Sequence, residues 1–176
     1  GMGIVDHGVH LIDIFSWFTQ SEIVRVQGKG QRSGEPAASE FMAMHFTNGA
    51  IGHLIYNAAT YSTVLPNEGM FSGGQGWQAD CTIAEPGLWE KEPGSISVYG
   101  TTGSLRIFHY TNALFLNTGA GPQQIPLSGR PAFGHFATQL EDCLAAITAN
   151  RLPPVSGEDG VRALKAMLAT YKTAKD

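Results

Sequence analysis

The chain has 176 residues, of which 43% are apolar and 15% charged, so it can form one ordinary hydrophobic core and does not have the composition of a disordered chain. Its net charge of −4 and the lack of a Lys/Arg-rich run argue against nucleic acid as a partner, because a phosphate-binding surface needs clustered cations. No apolar run reaches the roughly 20 residues that cross a bilayer, and the N-terminus does not resemble a signal peptide, so neither a membrane segment nor secretion is predicted.

The first predicted element is an amphipathic helix over residues 7–18. Its apolar residues recur at i, i+3, i+4 and i+7, which is the spacing of one buried stripe: Leu11, Ile14, Phe15 and Phe18. Asp6 precedes the helix and is predicted to be its N-cap, because a carboxylate there accepts hydrogen bonds from unpaired backbone N–H groups. Gly1 before Met2 is expected to remain from an expression tag, which gives a domain of residues 2–176.

Short β-rich runs separated by Gly, Asn and Pro continue from residue 22 to residue 127. Asn48-Gly49 between the runs 41–46 and 51–57 predicts a β-hairpin, because Asn-Gly readily adopts the positive φ angles of a tight turn. Residues 99–104 (YGTTGS) predict a second tight turn. Strands joined in this way form an antiparallel sheet. Residues 62–94 are rich in Gly and Pro and are predicted to form a long functional or mobile loop.

Two helices are predicted to close the chain. The first is marked by apolar residues at helical spacing, namely Phe136, Leu140, Leu144 and Ile147. The second follows a Pro-Pro stop and a Ser156 cap, and its apolar positions are Val161, Leu164, Leu168 and Tyr171. The two cysteines, Cys81 and Cys143, form neither a metal-binding pair nor a disulfide framework, so we expect buried thiols and a cytoplasmic protein.

This order of elements predicts an α+β fold, in which helices pack on one face of a mainly antiparallel, open sheet. The opposite face must then be solvated or covered by a partner. In the run 41–46 large side chains alternate between both faces, with Met42, Met44 and Phe46 on one side and Phe41, Ala43 and His45 on the other. We therefore expect a homodimer or tetramer that packs through the open sheet face.

A polar cluster near the N-terminus is the main candidate site. On a helix Asp6, His10 and Asp13 lie on one face, at i, i+4 and i+7. Three interpretations are open: a structural one, in which Asp6 caps the helix and pairs with His10; an acid–base pair, in which the carboxylate orients the imidazole for proton transfer; and a divalent metal site. The metal interpretation has less support, because HExxH is absent and no second His/Glu cluster stands out.

A phosphate-binding loop is not predicted. The stretch GKGQRSG, Gly28 to Gly34, has two of the glycines of GxGxxG but follows a strand without a helix behind it. No GxSxG turn or P-loop occurs either. The other histidines are scattered and are expected to be structural.

The opening segment GIVDHGVHLIDIFSWF resembles the start of the substrate domain in the Gfo/Idh/MocA family of NAD(P)-dependent oxidoreductases. The family pattern of a Gly-rich lead, Asp-x-x-x-His-x-x-Asp and a later Trp is met by Gly3, Asp6, His10, Asp13 and Trp17. The hairpin SVYGTTGSLRIF and the C-terminal segment PPVSGEDGVRALKAMLATYKTA resemble the same family, so the likeness covers essentially the whole chain.

The resemblance implies a dihydrodipicolinate-reductase-like C-terminal domain that binds a small sugar or polyol and assembles through its sheet. It implies that His10 is a general acid/base, that Asp6 orients His10 and the substrate, and that Asp13 takes part in substrate binding. In the family NAD or NADP binds to a preceding Rossmann domain, which also carries a catalytic Lys. The sequence has neither that domain nor the strand that leads into the first helix, so no cofactor is expected to bind to this chain alone, and no metal either.

Two functions are therefore open. The chain is either the substrate-binding and oligomerisation domain of an NAD(P)-dependent oxidoreductase acting on a sugar or polyol hydroxyl, inactive without its cofactor domain, or a free-standing, non-catalytic ligand-binding or assembly module. An in-frame Rossmann segment upstream of Met2 would favour the first.

Overall fold

The structure, a computed structural model, describes residues 4–30, 39–57, 71–72, 76–77, 95–108, 113–127 and 134–173. It begins with a π-helical turn (Ile4–Gly8, the π-turn), which runs directly into α1 (Val9–Thr19). The strands are β1 (Ile23–Gly30), β2 (Ser39–Phe46), β3 (Ile51–Asn57), β4 (Phe71–Ser72), β5 (Gly76–Trp77), β6 (Ile96–Tyr99), β7 (Gly103–Phe108), β8 (Ala113–Thr118) and β9 (Gly121–Ile125). The helices α2 (Gly134–Thr148) and α3 (Gly157–Thr173) follow. The chain divides into two compact units, residues 1–60 with 146–176, and residues 61–145.

The first unit is built on the antiparallel sheet β1-β2-β3. Its register pairs Met42 with Leu54 and Met44 with Gly52, so alternate side chains of β2 share one face with their neighbours in β3. Met42, Met44 and Phe46 are buried in the core with Ile12 of α1 and residues of α3. The helices α1 and α3 thus cover one face of this sheet, as predicted for these two helices, and Phe41, Ile51 and Ile55 are exposed on the opposite face.

The helices bury different residues from those that the apolar spacing predicted. In α1 the fully buried residue is Ile12, whereas the predicted stripe of Leu11, Ile14, Phe15 and Phe18 is only half-buried. In α3 the buried residues are Ala163, Ala166, Met167 and Thr170, and the larger Val161, Leu164 and Leu168 are about half exposed. Small residues face β1 because the helix lies very close to this strand: a Cβ on Gly28 would stand 2.2 Å from the Thr170 Cγ2 atom.

The second unit contains the four-stranded antiparallel meander β6-β7-β8-β9. Its register gathers aliphatic side chains on one face, namely Ile96, Val98, Leu105, Ile107, Leu114, Leu116 and Ile125. Strand β9 (GPQQI) was not predicted, because Pro and two Gln hide its alternation. Within the segment predicted as a loop, β4 and β5 form a short antiparallel pair; the rest of that segment lies outside the described residues.

The two predicted turns and the predicted Ser156 cap of α3 are confirmed. Gly49 has φ +85° in the turn between β2 and β3, and the Gly100 N–H donates to the Gly103 carbonyl in the turn between β6 and β7. The Ser156 hydroxyl accepts from the Asp159 N–H while the Asp159 carboxylate accepts from the Ser156 N–H, a reciprocal cap at the start of α3. The α+β fold is likewise confirmed.

The prediction of buried thiols is wrong for Cys143, which is exposed on α2, where Leu140, Leu144 and Ile147 are exposed too. Cys81 lies outside the described residues. None of the helices in the described ranges combines the length and the apolarity that crossing a membrane requires.

Candidate functional site

The solvent-facing side of α1 carries the residues that the sequence singled out. His10 is exposed and Asp13, three residues later, is half-buried, so the two are neighbours on the helix surface. Trp17 follows four residues after Asp13 on the same side and is 68% exposed. Because a helix rises 1.5 Å per residue, this row of imidazole, carboxylate and indole spans roughly 10 Å. The opposite side of the helix holds Ile12 in the core.

Asp6 does not cap α1 as predicted. The helical backbone continues to Ile4 as the π-turn, so Asp6 lies inside this turn, and the residue at the N-cap of α1 is Gly8, which makes no side-chain cap hydrogen bond. The wider i→i+5 winding of a π-turn occurs mostly as a single turn within a helix, often at functional sites. The side chain of Asp6 is outside the described part of the structure, so its pairing with His10 stays a prediction.

A carboxylate that the sequence reasoning missed meets the start of this helix instead. Glu40 of β2 is only 4% exposed. Its Oε2 atom accepts a hydrogen bond of 2.7 Å from the Ile4 N–H, and its Oε1 atom accepts one of 3.1 Å from the Tyr171 hydroxyl of α3. The alternation of β2 could have revealed Glu40, because it shares the inward parity of Met42, Met44 and Phe46. Its partners, 36 and 131 residues away, leave no local signal.

The π-turn also packs on the end of β3. The His7 ring stacks on the Tyr56 ring, with centroids 6.1 Å apart and planes inclined by 17°. Tyr56 stands directly opposite Glu40 in the register of β2 and β3. The two histidines of the segment therefore differ in placement, since His7 is half-buried against the sheet and His10 faces solvent.

The metal and phosphate interpretations gain no support in the described ranges. Among the side chains that the structure describes, no three His, Cys, Asp or Glu come together as metal ligands. Gly28, the first glycine of GKGQRSG, lies in β1 with its Cα against α3 rather than in a turn that could cradle a phosphate. The residues after Gly30 in that stretch lie outside the described residues.

The arrangement can exchange a proton with a hydroxyl group bound on the outer face of α1. The imidazole of His10 can accept or donate a proton, and Asp13 beside it offers two hydrogen-bond acceptors for neighbouring hydroxyls. The indole of Trp17 adds an apolar surface with one N–H donor. The π-turn, which Glu40 and Tyr56 contact, leads directly into this face.

Comparison with known proteins supplies the context of this site. A family model described as the C-terminal alpha/beta domain of an oxidoreductase family, Gfo/Idh/MocA, matches residues 1–176. Comparison with curated proteins gives no significant match.

Solved structures share the fold over nearly all of the chain. UDP-N-acetylglucosamine 3-dehydrogenase GnnA from Acidithiobacillus ferrooxidans is 20% identical with a TM-score of 0.71, covering 98% of this chain and 47% of its own. Aldose-aldose oxidoreductase from Caulobacter crescentus, complexed with glycerol, is 19% identical with a TM-score of 0.72, and the match covers 99% of this chain and 46% of that enzyme. WlbA dehydrogenase from Bordetella pertussis, in complex with NADH and UDP-GlcNAcA, is 16% identical with a TM-score of 0.61, and the match covers 100% of this chain and 43% of that enzyme. The chain thus spans less than half the length of these enzymes.

Proposed function

Because the chain belongs to the Gfo/Idh/MocA oxidoreductase family, whose C-terminal α/β domain it matches, we propose that it binds a sugar or polyol, either free or within a sugar nucleotide. In this proposal His10 exchanges a proton with the reacting hydroxyl. Asp6 orients the imidazole, and Asp13 accepts hydrogen bonds from neighbouring hydroxyls. When an alcohol is oxidised to a carbonyl, the neutral imidazole takes the hydroxyl proton, and the hydride from carbon would go to a nicotinamide held by other residues; in the reverse direction the imidazolium returns the proton.

The observation that supports this proposal most is the placement of His10. It stands in the first turn of α1, exposed and next to Asp13, while the other side of the same helix is fixed in the core by Ile12. A general acid/base must be accessible to the substrate and be held on a rigid element, and an exposed residue on a helix anchored in the core supports both requirements. The sugar-nucleotide relatives and the glycerol complex favour a polyhydroxylated ligand.

Ligand binding on the outer face of α1 tests the proposal directly. Titration of the ¹⁵N-labelled chain with UDP-N-acetylglucosamine, glucose and glycerol should shift the amide signals of residues 6–17 in a saturable way for at least one ligand. His10→Ala and Asp13→Asn should each weaken this binding, while Leu152→Ala, on an exposed loop residue, should not. The proposal is wrong if all three ligands leave these signals unmoved at millimolar concentration or shift only residues elsewhere.

We also propose that the hydride chemistry of the family needs a nicotinamide held by other residues than these. A dinucleotide site needs a glycine turn and a helix N-terminus around the pyrophosphate, and Gly28 serves a different purpose in β1. We therefore expect calorimetric titration of the 176-residue chain with NADH or NADPH to give no saturable heat. Binding at micromolar concentration would contradict this expectation.

The open face of β1-β2-β3 is proposed to bind a second copy of the chain. Opposite the helix-covered face it presents three large apolar side chains, Phe41, Ile51 and Ile55. Apolar groups clustered on one sheet face are typical of a subunit interface, and a stable dimer buries more than roughly 1,000 Å² in total.

A matched pair of substitutions tests this assembly. Ile55 and Leu152 are 72% and 75% exposed, but only Ile55 lies on the sheet face. Light scattering during size-exclusion chromatography should give a dimer or tetramer for the unchanged chain and for Leu152→Lys. Ile55→Lys should give the mass of one chain, because the interface would bury a charge without a partner. A mass of one chain for the unchanged protein at micromolar concentration would show that the sheet face is solvated.

A further inference from the structure

Glu40 joins three elements that are distant in sequence. From β2 its carboxylate reaches the first N–H of the π-turn, at Ile4, and the Tyr171 hydroxyl on α3. Both hydrogen bonds end on the same buried side chain. Among the described residues neither of its partners is a Lys or Arg, so the bonds to one N–H and one hydroxyl hold the carboxylate in place.

The N-terminus of the π-turn stabilises the buried Glu40 carboxylate. A buried carboxylate is unfavourable unless hydrogen bonds compensate for lost hydration. The N-terminus of a helix supplies that compensation, because its first N–H groups have no partner within the helix and carry a partial positive charge. The distance of 2.7 Å between the Ile4 nitrogen and Oε2 is typical of a charge-assisted bond.

The inner face of the sheet would favour an apolar residue at this position. The other inward side chains of β2 are Met42, Met44 and Phe46, and all are buried. A methionine at position 40 would continue this row but would remove the carboxylate that accepts from the Ile4 N–H and from the Tyr171 hydroxyl. The carboxylate therefore fixes the position of the π-turn through hydrogen bonds that an apolar side chain cannot make.

The support for Tyr171 extends into β1. Thr170 packs against the Cα of Gly28, and the Gly28 N–H donates to the Thr173 hydroxyl over 3.1 Å. These contacts fix the last turns of α3 on β1, and α3 thereby presents the Tyr171 hydroxyl to Glu40. The position of the π-turn thus depends on contacts that begin in β1 and continue through α3 to Glu40.

We propose that Glu40 is a positioning residue for the acid–base site: through the Ile4 N–H and with Tyr171 it sets where the π-turn begins, and so where Asp6 and His10 stand. This inference rests on the proposed function for its catalytic consequence, but the effect on the π-turn is independent of it. Glu40 itself does not contact the substrate in this assignment. Its carboxylate acts entirely through the backbone of the turn.

Hydrogen exchange of the intact chain tests the placement. In Glu40→Gln, which keeps the size of the side chain but removes its charge, the amides of residues 4–8 should exchange roughly tenfold faster, since a charge-assisted bond is about twice as strong as a neutral one. Tyr171→Phe should increase the same rates less, because it leaves the Ile4 bond in place. The amides of β2 and β3 serve as the internal control and should keep their rates. Equally faster amide exchange in the π-turn and in β2 and β3 would make Glu40 a general contributor to stability. Unchanged exchange in the π-turn would make Glu40 dispensable for its position, and either result would overturn the inference.

Kinetics separate this inference from the proposed function. When the domain is assayed together with a nicotinamide-binding domain, Glu40→Gln should lower kcat about tenfold and change KM less than threefold, and Glu40→Ala should lower kcat further. A loss of kcat in His10→Ala with full activity in Glu40→Gln would leave the function intact and overturn the positioning role. Full activity in His10→Ala would contradict the proposed function. Faster amide hydrogen exchange confined to residues 4–8 in Glu40→Gln would still support the role of Glu40 in positioning the π-turn.

Discussion

Replacing His10 by Ala should lower kcat by roughly 10²–10⁴ when the domain is assayed together with a nicotinamide-binding domain, the usual share of general acid–base catalysis. This loss corresponds to about 3–5 kcal/mol of transition-state stabilisation. The KM should change little, because the imidazole acts on the proton that moves in the transition state and contributes less to the bound ground state.

Unfolding is not expected to explain the loss. His10 is exposed on α1, and Ala has the higher helix propensity, so His10→Ala should keep or slightly raise the free energy of unfolding. Urea denaturation of the isolated chain checks this point. His10→Gln is the second control, since its amide can donate a hydrogen bond but cannot transfer a proton, and its kcat should be as low as that of His10→Ala.

The partnership of Asp6 with His10 requires a double-mutant cycle. If Asp6 orients the imidazole, Asp6→Asn alone should lower kcat about 10- to 100-fold but should add little to the loss of His10→Ala. Independent roles would instead give multiplied losses in the double variant. A loss below tenfold for His10→Ala would return the whole cluster to a structural role.

The local pattern of the sequence predicted the elements well and their packing less well. Asn48-Gly49 gave the correct hairpin because its turn needs only two neighbouring residues with a suitable backbone conformation. The burial of α3 could not be predicted this way. Its large residues Leu164 and Leu168 outweigh Ala163 and Ala166 in any count of apolar residues, but the contact between Thr170 and Gly28 brings the helix so near that small side chains fit against the sheet.

The candidate site shows the same limit. His10 and Asp13 could be assigned to one face from spacing alone, because both lie in a regular helix. The π-turn could not, since no spacing rule predicts an i→i+5 winding, and the assignment of Asp6 as the N-cap failed for that reason. Glu40 was missed because its hydrogen-bond partners, Ile4 and Tyr171, are brought to it only by the tertiary fold.

Among the glycines that the structure describes in the first unit, Gly28 is expected to be the one whose change to Ala destabilises the fold most, lowering the free energy of unfolding by about 3 kcal/mol, the upper end of the usual cost of overpacking. The added Cβ would lie 2.2 Å from the Thr170 Cγ2 atom, and the nearby carbonyl oxygens of Thr170 and Phe41 at 3.1 and 3.3 Å leave it no other space. Thr170 cannot turn away, because it is buried and its hydroxyl donates to the Ala166 carbonyl.

Gly160→Ala provides the matched control for this substitution. A Cβ there meets nothing within 4 Å and the position is exposed within α3, so Ala should stabilise the helix by roughly 0.5–1 kcal/mol. Opposite signs for the same chemical change would show that the contact with Thr170, rather than the loss of a glycine, causes the effect. Urea denaturation of both variants gives the comparison.

The partner of the clash can be tested by removing it. Thr170→Ser deletes the methyl group but keeps the hydroxyl that bonds to Ala166. Alone it should cost about 1 kcal/mol of packing, whereas in the Gly28→Ala background it should restore part of the lost stability, since residues in contact couple by 0.5–3 kcal/mol. Because this contact holds the end of α3 that carries Tyr171, Gly28→Ala should also speed amide exchange in residues 4–8. Additive effects of Gly28→Ala and Thr170→Ser on the free energy of unfolding would mean that α3 does not lie on β1 at this point. The inferred dependence of the π-turn on β1 would then be wrong.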